Sequence, residues 1–342
     1  MHKPFFHKKT IAGVEHRQDP LLGSWSRINP QRAKRPKQTG EDTPGEDLLR
    51  LIRNSAHTCP FCPSRRNEVI PALPRDLFPL GKLQRGQCLL FPNKNPFGEY
   101  HAVGILADAH FIPMEEYSEK ILYDCLCLSQ EYLQIIFKKE CRARYPVFVW
   151  NFLPPSAGSI IHPHIQLLLE DRPTPIIERL ASSCRQWQVH YQEDFWSRLI
   201  QEESQKDERL IWHQEELVVL ASFAPRGFSE VLILLPGSAS LGELNDKQKK
   251  LFCWALKKML EAYHGLGVGS FNLVTYSSPI NEDPSDFPFH AKFISRPYPS
   301  GIYTNDTGFF ERMYDLWIID TIPEKIAAQV GPFFPSDHQA CH

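Results

Sequence analysis

The sequence predicts an α+β fold built as two related halves. Two observations carry that reading. Short runs rich in β-branched and aromatic residues alternate with long stretches of helical period. The same order of features then occurs twice: strand, helix, strand, histidine-bearing strand. Length and composition agree. The chain has 342 residues, room for two domains of ordinary size, and is 42% hydrophobic and 23% charged. Its net charge of −2 argues against a general nucleic-acid binder. No apolar run reaches transmembrane length, and the polar N-terminus has no signal core, so no membrane association is expected. Nine scattered cysteines, an odd number, read as reduced thiols in a cytoplasmic protein.

Taken in order, residues 1–20 are polar and basic and are expected to be extended or poorly ordered. Residues 24–28 form a short strand that enters a basic loop with Arg32 and Arg35. That loop is either a solvated charge run or a phosphate clamp, since guanidinium forks match phosphate oxygens. Residues 37–55 read as a surface loop with a short helix. Cys59 and Cys62 then form a C-x2-C pair flanked by Pro60 and Pro63. Two thiolates at this spacing chelate one ion, and the proline-flanked knuckle suits zinc better than a redox pair. His57 and His101 are local competitors for the remaining ligand positions.

Residues 100–106 read as a strand. A helix is expected over 118–144, with apolar positions at Ile121, Leu122, Cys125, Leu126, Leu133 and Phe137. A strand at 146–151 leads into the small-residue loop 154–159, where Ser159 and backbone N–H groups suit a phosphate. In the second half, 228–235 parallels the first strand and 246–264 parallels the helix. Residues 271–276 and 289–294 parallel the two later strands. The halves join through 175–205, helix-like after Pro175.

The strand at 160–169 carries the chemistry. His162, His164 and Gln166 alternate, so one face of the strand presents all three. Such groups on a buried strand are costly unless they are partnered or act on a ligand. A neutral imidazole can attack phosphorus to give a phosphoramidate, with a carbonyl fixing its tautomer. Gln166 can take no proton but can donate N–H to a phosphoryl oxygen. A glutamine there suits an enzyme that keeps a covalent nucleotide until a second phosphate acceptor arrives. The second half has only His290 in its motif, with Lys292 at the next same-face position, and is expected to lack a nucleophile.

His162-Pro163-His164-Ile165-Gln166, preceded by Asn151 and Ser156-Ala157-Gly158-Ser159, resembles the active-site strand of the galactose-1-phosphate uridylyltransferase family, a histidine-triad branch. The segments around 25–36, 59–62 and 91–96 resemble it too. The resemblance implies two histidine-triad-like halves, 1–185 and 186–342, each a mostly antiparallel sheet with packed helices. It implies His164 as nucleophile with Gln166 beside it. Arg32, Arg35, Asn93, Asn151, Ser159 and Gln166 would bind substrate. Cys59, Cys62, His110 and His162 would hold a structural zinc. The implied reaction is ping-pong transfer of uridylyl between UDP-glucose and a hexose 1-phosphate, in a homodimer. Relatives with the same strand use phosphate as acceptor, so an ADP-glucose or dinucleoside-polyphosphate phosphorylase is the alternative, and a non-catalytic zinc-stabilised nucleotide-binding protein is a third. The family's second metal site is matched only by Glu178 and His290, and Lys292 would repel a cation there, so no second metal is expected. Near the C-terminus Glu311 matches a sugar-contacting residue of the family, without its glutamine partner.

Overall fold

The computed structural model describes residues 4–34, 45–214, 216–282, 286–299 and 306–335. Its centre is one ten-stranded sheet made of β4 (Leu83–Arg85), β5 (Cys88–Pro92), β6 (Tyr100–Ile105), β7 (Tyr145–Phe152) and β8 (His164–Glu170), then β9 (Leu210–Gln214), β10 (Leu217–Ala221), β11 (Phe228–Leu234), β12 (Ser270–Tyr276) and β13 (His290–Arg296). The spatial order is β4-β5-β6-β8-β7-β12-β13-β11-β10-β9, all antiparallel. A smaller sheet joins β1 (His7–Ile11), β2 (Val14–Gln18), β3 (Trp25–Ile28) and β14 (Trp317–Ile319).

The internal repeat is visible in that order. Five strands lie on each side of the β7–β12 junction, and β8 occupies in one half the place of β13 in the other. His164 stands opposite Ile105 of β6, and His290 stands opposite Leu234 of β11. One backbone bond recurs with the repeat. Leu106 N–H donates to the Pro163 carbonyl at 3.0 Å, and Leu235 N–H donates to the Phe289 carbonyl at 3.0 Å.

Alternation along each strand decides which side is core. Phe148, Trp150, Ile165, Leu167, Phe271 and Phe293 point to one face. There they meet two long helices, α3 (Glu119–Lys139) and α6 (Asp246–Gly265), through residues such as Leu133, Ile136, Phe252 and Met259. Each helix starts on a side-chain cap: Ser118 accepts from Ile121 N–H, and Asn245 forms a capping box with Gln248. Trp150 is 1% exposed, so truncating it to alanine would cost about 3–5 kcal/mol. The other face carries the polar residues of β8. In the first half it is covered by the Cys59–Cys62 loop, which lies between α1 (Glu46–Ala56), whose apolar side packs on the main core, and α2 (Pro63–Val69); in the second it is covered by α4 (Pro175–Tyr191) and α5 (Phe195–Lys206). Two short helices, α7 (Phe309–Tyr314) and α8 (Pro323–Val330), flank β14.

One expectation is narrowed and two are corrected. Of the segment expected to be extended or poorly ordered, residues 7–18 are extended but ordered, as a hairpin. Ala12 and Gly13 take positive φ at its turn, and Phe5 and Phe6 pack on Trp187, Phe195 and Phe223. The predicted helix at 118–144 stops at Lys139, leaving residues 140–144 as a turn ahead of β7. The histidine strand begins at His164, not near 160. His162 and Pro163 form a bend, because Pro163 has no N–H to give the ladder.

Candidate active site

The bend before β8 turns the two histidines into different surroundings. His162 is fully buried and turns toward the Cys59–Cys62 loop, with its Nδ1 3.5 Å from Cys62 Sγ. His110 brings its own Nδ1 to 3.4 Å from the same sulfur. Together Cys59, Cys62, His110 and His162 place one ligand atom each within 4.8 Å of one another. Ligands 2.0–2.3 Å from a tetrahedral ion stand roughly 3.3–3.8 Å apart, a range that holds both distances from Cys62 Sγ to the histidine nitrogens. The outer nitrogens agree. His162 Nε2–H donates to the Ala107 carbonyl at 2.8 Å, and His110 Nε2 lies 2.9 Å from Ser55 Oγ. Both Nδ1 lone pairs are thereby left facing the sulfurs. Burial, reinforced by Cys59, pushes the Cys62 thiol up to about 11, a cost that a cation at the centre would reverse. The cluster is suited to a metal. His57 is exposed and His101 lies elsewhere, so neither competitor joins it.

His164 is 8% exposed and has a fixed tautomer. Its Nδ1–H donates to the carbonyl of His162 at 2.7 Å, which leaves the lone pair on Nε2. Burial lowers its pKa, so the ring is neutral near pH 7. The Phe61 ring, from between the two cysteines, stands edge-on to the imidazole at 5.4 Å. The Cys59, Cys62, His110 and His162 cluster therefore holds both the carbonyl that sets the tautomer and the ring that covers the His164 imidazole.

Gln166 follows on the same face and meets His101 of β6, whose Nε2 is 2.9 Å from Gln166 Oε1. His101 Nδ1 accepts from Phe97 N–H at 3.4 Å, and burial keeps the ring neutral. The proton is then on Nε2 and points at Gln166 Oε1, which turns the Gln166 amide nitrogen away from His101. Asn93 lies beside the same ring, with Nδ2 3.1 Å from Nε2. It is held through Oδ1, which accepts from Asn95 N–H at 2.9 Å. Sequence reasoning missed His101 as a site residue. Its signal was present in the spacing of His101, Val103 and Ile105, but the strand pairing was needed to read it.

Asn151 lies on β7, where its Oδ1 accepts from Asn272 Nδ2 at 2.7 Å across the junction of the halves. Asn272, which the sequence did not single out, also donates to the Ser156 carbonyl and accepts from Arg296. The loop between β7 and β8 is tight. Leu153 and Ala157 take positive φ, and a Cβ on Gly158 would come within 2.9 Å of the Asn151 carbonyl oxygen. Ser159 is exposed at its end. Arg32 is exposed on the turn after β3, and Arg35 lies outside the described residues.

Lys292 Nζ is 2.7 Å from Glu230 Oε1, and Glu178 is exposed on α4. Glu311 is engaged locally, accepting from Gly308 N–H at 2.8 Å and from Ile318 N–H at 3.2 Å. Among the described residues no helix is long and apolar enough to cross a membrane.

No protein-family profile matches the sequence. The chain is 28% identical over 319 residues to an uncharacterized protein from Archaeoglobus fulgidus, covering 93% of this chain and 91% of the other. It is 22% identical over 290 residues to a galactose-1-phosphate uridylyltransferase from Haemophilus influenzae, covering 81% and 82%. Its structure is similar to an ADP-glucose phosphorylase from Arabidopsis thaliana, with a TM-score of 0.71, 20% identity, and coverage of 93% and 98%. The resemblance carried by His162–Gln166 thus extends along nearly the whole chain, which has the fold of the galactose-1-phosphate uridylyltransferase family.

Proposed function

We propose that the protein is a nucleotidyltransferase that carries a nucleotidyl group on His164 Nε2, and specifically a UDP-glucose–hexose-1-phosphate uridylyltransferase. The observation that carries this is the state of His164: buried, neutral, and held by its Nδ1–H bond to the His162 carbonyl. Nε2 attacks the α-phosphorus of UDP-glucose. A P–N bond forms, the P–O bond to the β-phosphate breaks, and glucose 1-phosphate leaves. The imidazolium character that develops is stabilised by the His162 carbonyl. The phosphate of a hexose 1-phosphate then attacks the same phosphorus and releases the histidine. No net proton transfer is needed, which is why Gln166 suffices beside the nucleophile. With Oε1 occupied by His101, its amide donates to the phosphoryl oxygens. Asn93, Asn151, Ser159 and the basic segment bearing Arg32 and Arg35 are assigned to the nucleotide.

Cys59, Cys62, His110 and His162 would hold a zinc ion. Its contribution is structural: a closed four-ligand site that fixes His162 and the Phe61 loop. The division at 185/186 assigns catalysis to the first half and cleft shaping to the second, in a homodimer.

One observation favours a second reading. Glu311, the matched sugar-contacting residue, spends its carboxylate on its own backbone. An acceptor without a sugar, inorganic phosphate, would make the protein an ADP-glucose phosphorylase through the same intermediate. The test is a chase of pre-loaded enzyme. Release of the nucleotide by hexose 1-phosphate and not by phosphate supports the transferase. Release by phosphate alone rejects it in favour of the phosphorylase.

A further inference from the structure

A cavity lies away from His164. It lies in the second half, on the same face of the sheet, at the place that the repeat makes equivalent. Its volume is about 80 Å³. One water needs about 10–15 Å³ on this measure, so the space admits a small organic molecule.

Among the polar residues that line it are His290, Tyr276 and Lys292. His290 is 1% exposed and repeats the arrangement of His164: its Nδ1–H donates to the Pro288 carbonyl at 2.9 Å. Among the described residues the Nε2 lone pair has no partner. The Tyr276 ring stacks on the imidazole at 4.7 Å, and among the described residues its hydroxyl has no hydrogen-bond partner either. Lys292 uses one of its ammonium donors on Glu230. Buried polar groups left in this state cost free energy unless something in the cavity meets them. Trp196, Leu199 and Leu232 supply an apolar wall.

The pattern of donors and acceptors restricts the occupant. The bare Nε2 of His290 asks for a donor, whereas the Tyr276 hydroxyl and Lys292 ammonium offer donors. A hydroxyl group satisfies both demands at one atom. Charged groups of the lining are already paired: Lys292 with Glu230 at 2.7 Å, the buried Glu203 with the buried Arg209 at 3.0 Å, and the part-exposed Arg226 with the exposed Asp315 at 3.4 Å. Asp19 caps its own turn by accepting from Leu21 and Leu22 N–H. A charged ligand would enter without a counter-ion. We infer that this cavity is a binding site for a small uncharged hydroxyl compound with an apolar body, held by His290 Nε2, Tyr276 Oη and Lys292 Nζ. The site is distinct from His164 and does not depend on the nucleotidyl reading.

The probes are phenol, toluene and benzoate, titrated into the full-length protein and followed by saturation-transfer NMR. Phenol is expected to bind saturably, with a Kd on the order of 1 mM for so small a ligand. Toluene, which leaves the polar groups unmet, should bind about tenfold more weakly, and benzoate should not bind. Tyr276→Phe should weaken phenol several-fold without moving the unfolding midpoint of the free protein, because the hydroxyl it removes has no protein partner. A crystal soaked in phenol should place the ligand oxygen within hydrogen-bond distance of His290 Nε2, which tests the site without a variant. Toluene binding as tightly as phenol, benzoate binding best, no saturable binding by any probe, or an unaffected Tyr276→Phe would each overturn the proposal.

Discussion

His101→Ala tests how the site presents Gln166. The wild-type ring donates Nε2–H to Gln166 Oε1 at 2.9 Å and so sets which end of the amide faces the phosphoryl group. Without it the amide is free to turn over. The cost is one neutral hydrogen bond, about 0.5–1.5 kcal/mol, or roughly a 2- to 10-fold slower formation of nucleotidyl-enzyme. Removing the donor itself, in Gln166→Ala, is expected to cost about 10²–10³. The two effects run through one group, so the double variant should be no slower than Gln166→Ala alone. His101→Gln, which keeps an N–H donor, should recover part of the rate. Rapid-quench measurement of the first turnover reads all four proteins. A double variant whose losses multiply would show that His101 acts on something other than Gln166. A single variant at the wild-type rate would remove it from the site.

Three further outcomes follow from the geometry. Purified protein should contain close to one zinc per chain, and Cys62→Ala should lose the metal and unfold at lower urea. A metal-free wild-type protein with an unchanged midpoint would contradict a structural role. Burial holds His290 down to about 3, so its neutral form is favoured in the folded chain. The stability this confers is complete above the unfolded value of about 6.5 and is lost as pH falls toward about 3, with about 2–3 kcal/mol gone at pH 4.5. His290→Asn should flatten that part of the profile of unfolding midpoint against pH, and an unchanged profile would refute the assignment. Gly158→Ala sets a methyl group 2.9 Å from the Asn151 carbonyl oxygen and 3.1 Å from that of Leu153. Backbone atoms cannot step aside as side chains do, so a loss of about 1–3 kcal/mol and slower adduct formation are expected. Wild-type values in both assays would show that the loop is looser than described.

What was legible in the sequence is what local pattern encodes. The apolar period of α3 and α6, the spacing of Cys59 and Cys62, and the alternation of His164 with Gln166 each lie within a short window. The repeat was legible because it preserves element order, and the sheet shows why, with β8 and β13 in matching positions. What the sequence did not show depends on partners far along the chain. His101 meets Gln166 only because β6 pairs with β8, 65 residues away, and Asn272 reaches Asn151 over 121. The hairpin of β1 and β2 is stabilised by Phe5 and Phe6 finding Trp187 and Phe223, which no local signal announces. The resemblance gave His162 and His164 different roles, but reading an unbroken strand through Pro163 hid the bend that turns the two rings apart.

The most direct test of the central claim is the mass of the intact protein after mixing with UDP-glucose, and separately with ADP-glucose, followed by mapping of the modified peptide under alkaline conditions that preserve a P–N bond. The account predicts a uridylyl adduct from UDP-glucose on the peptide holding His164, absent in His164→Ala. An adduct on another residue, or none from either donor with zinc-replete protein, would contradict it.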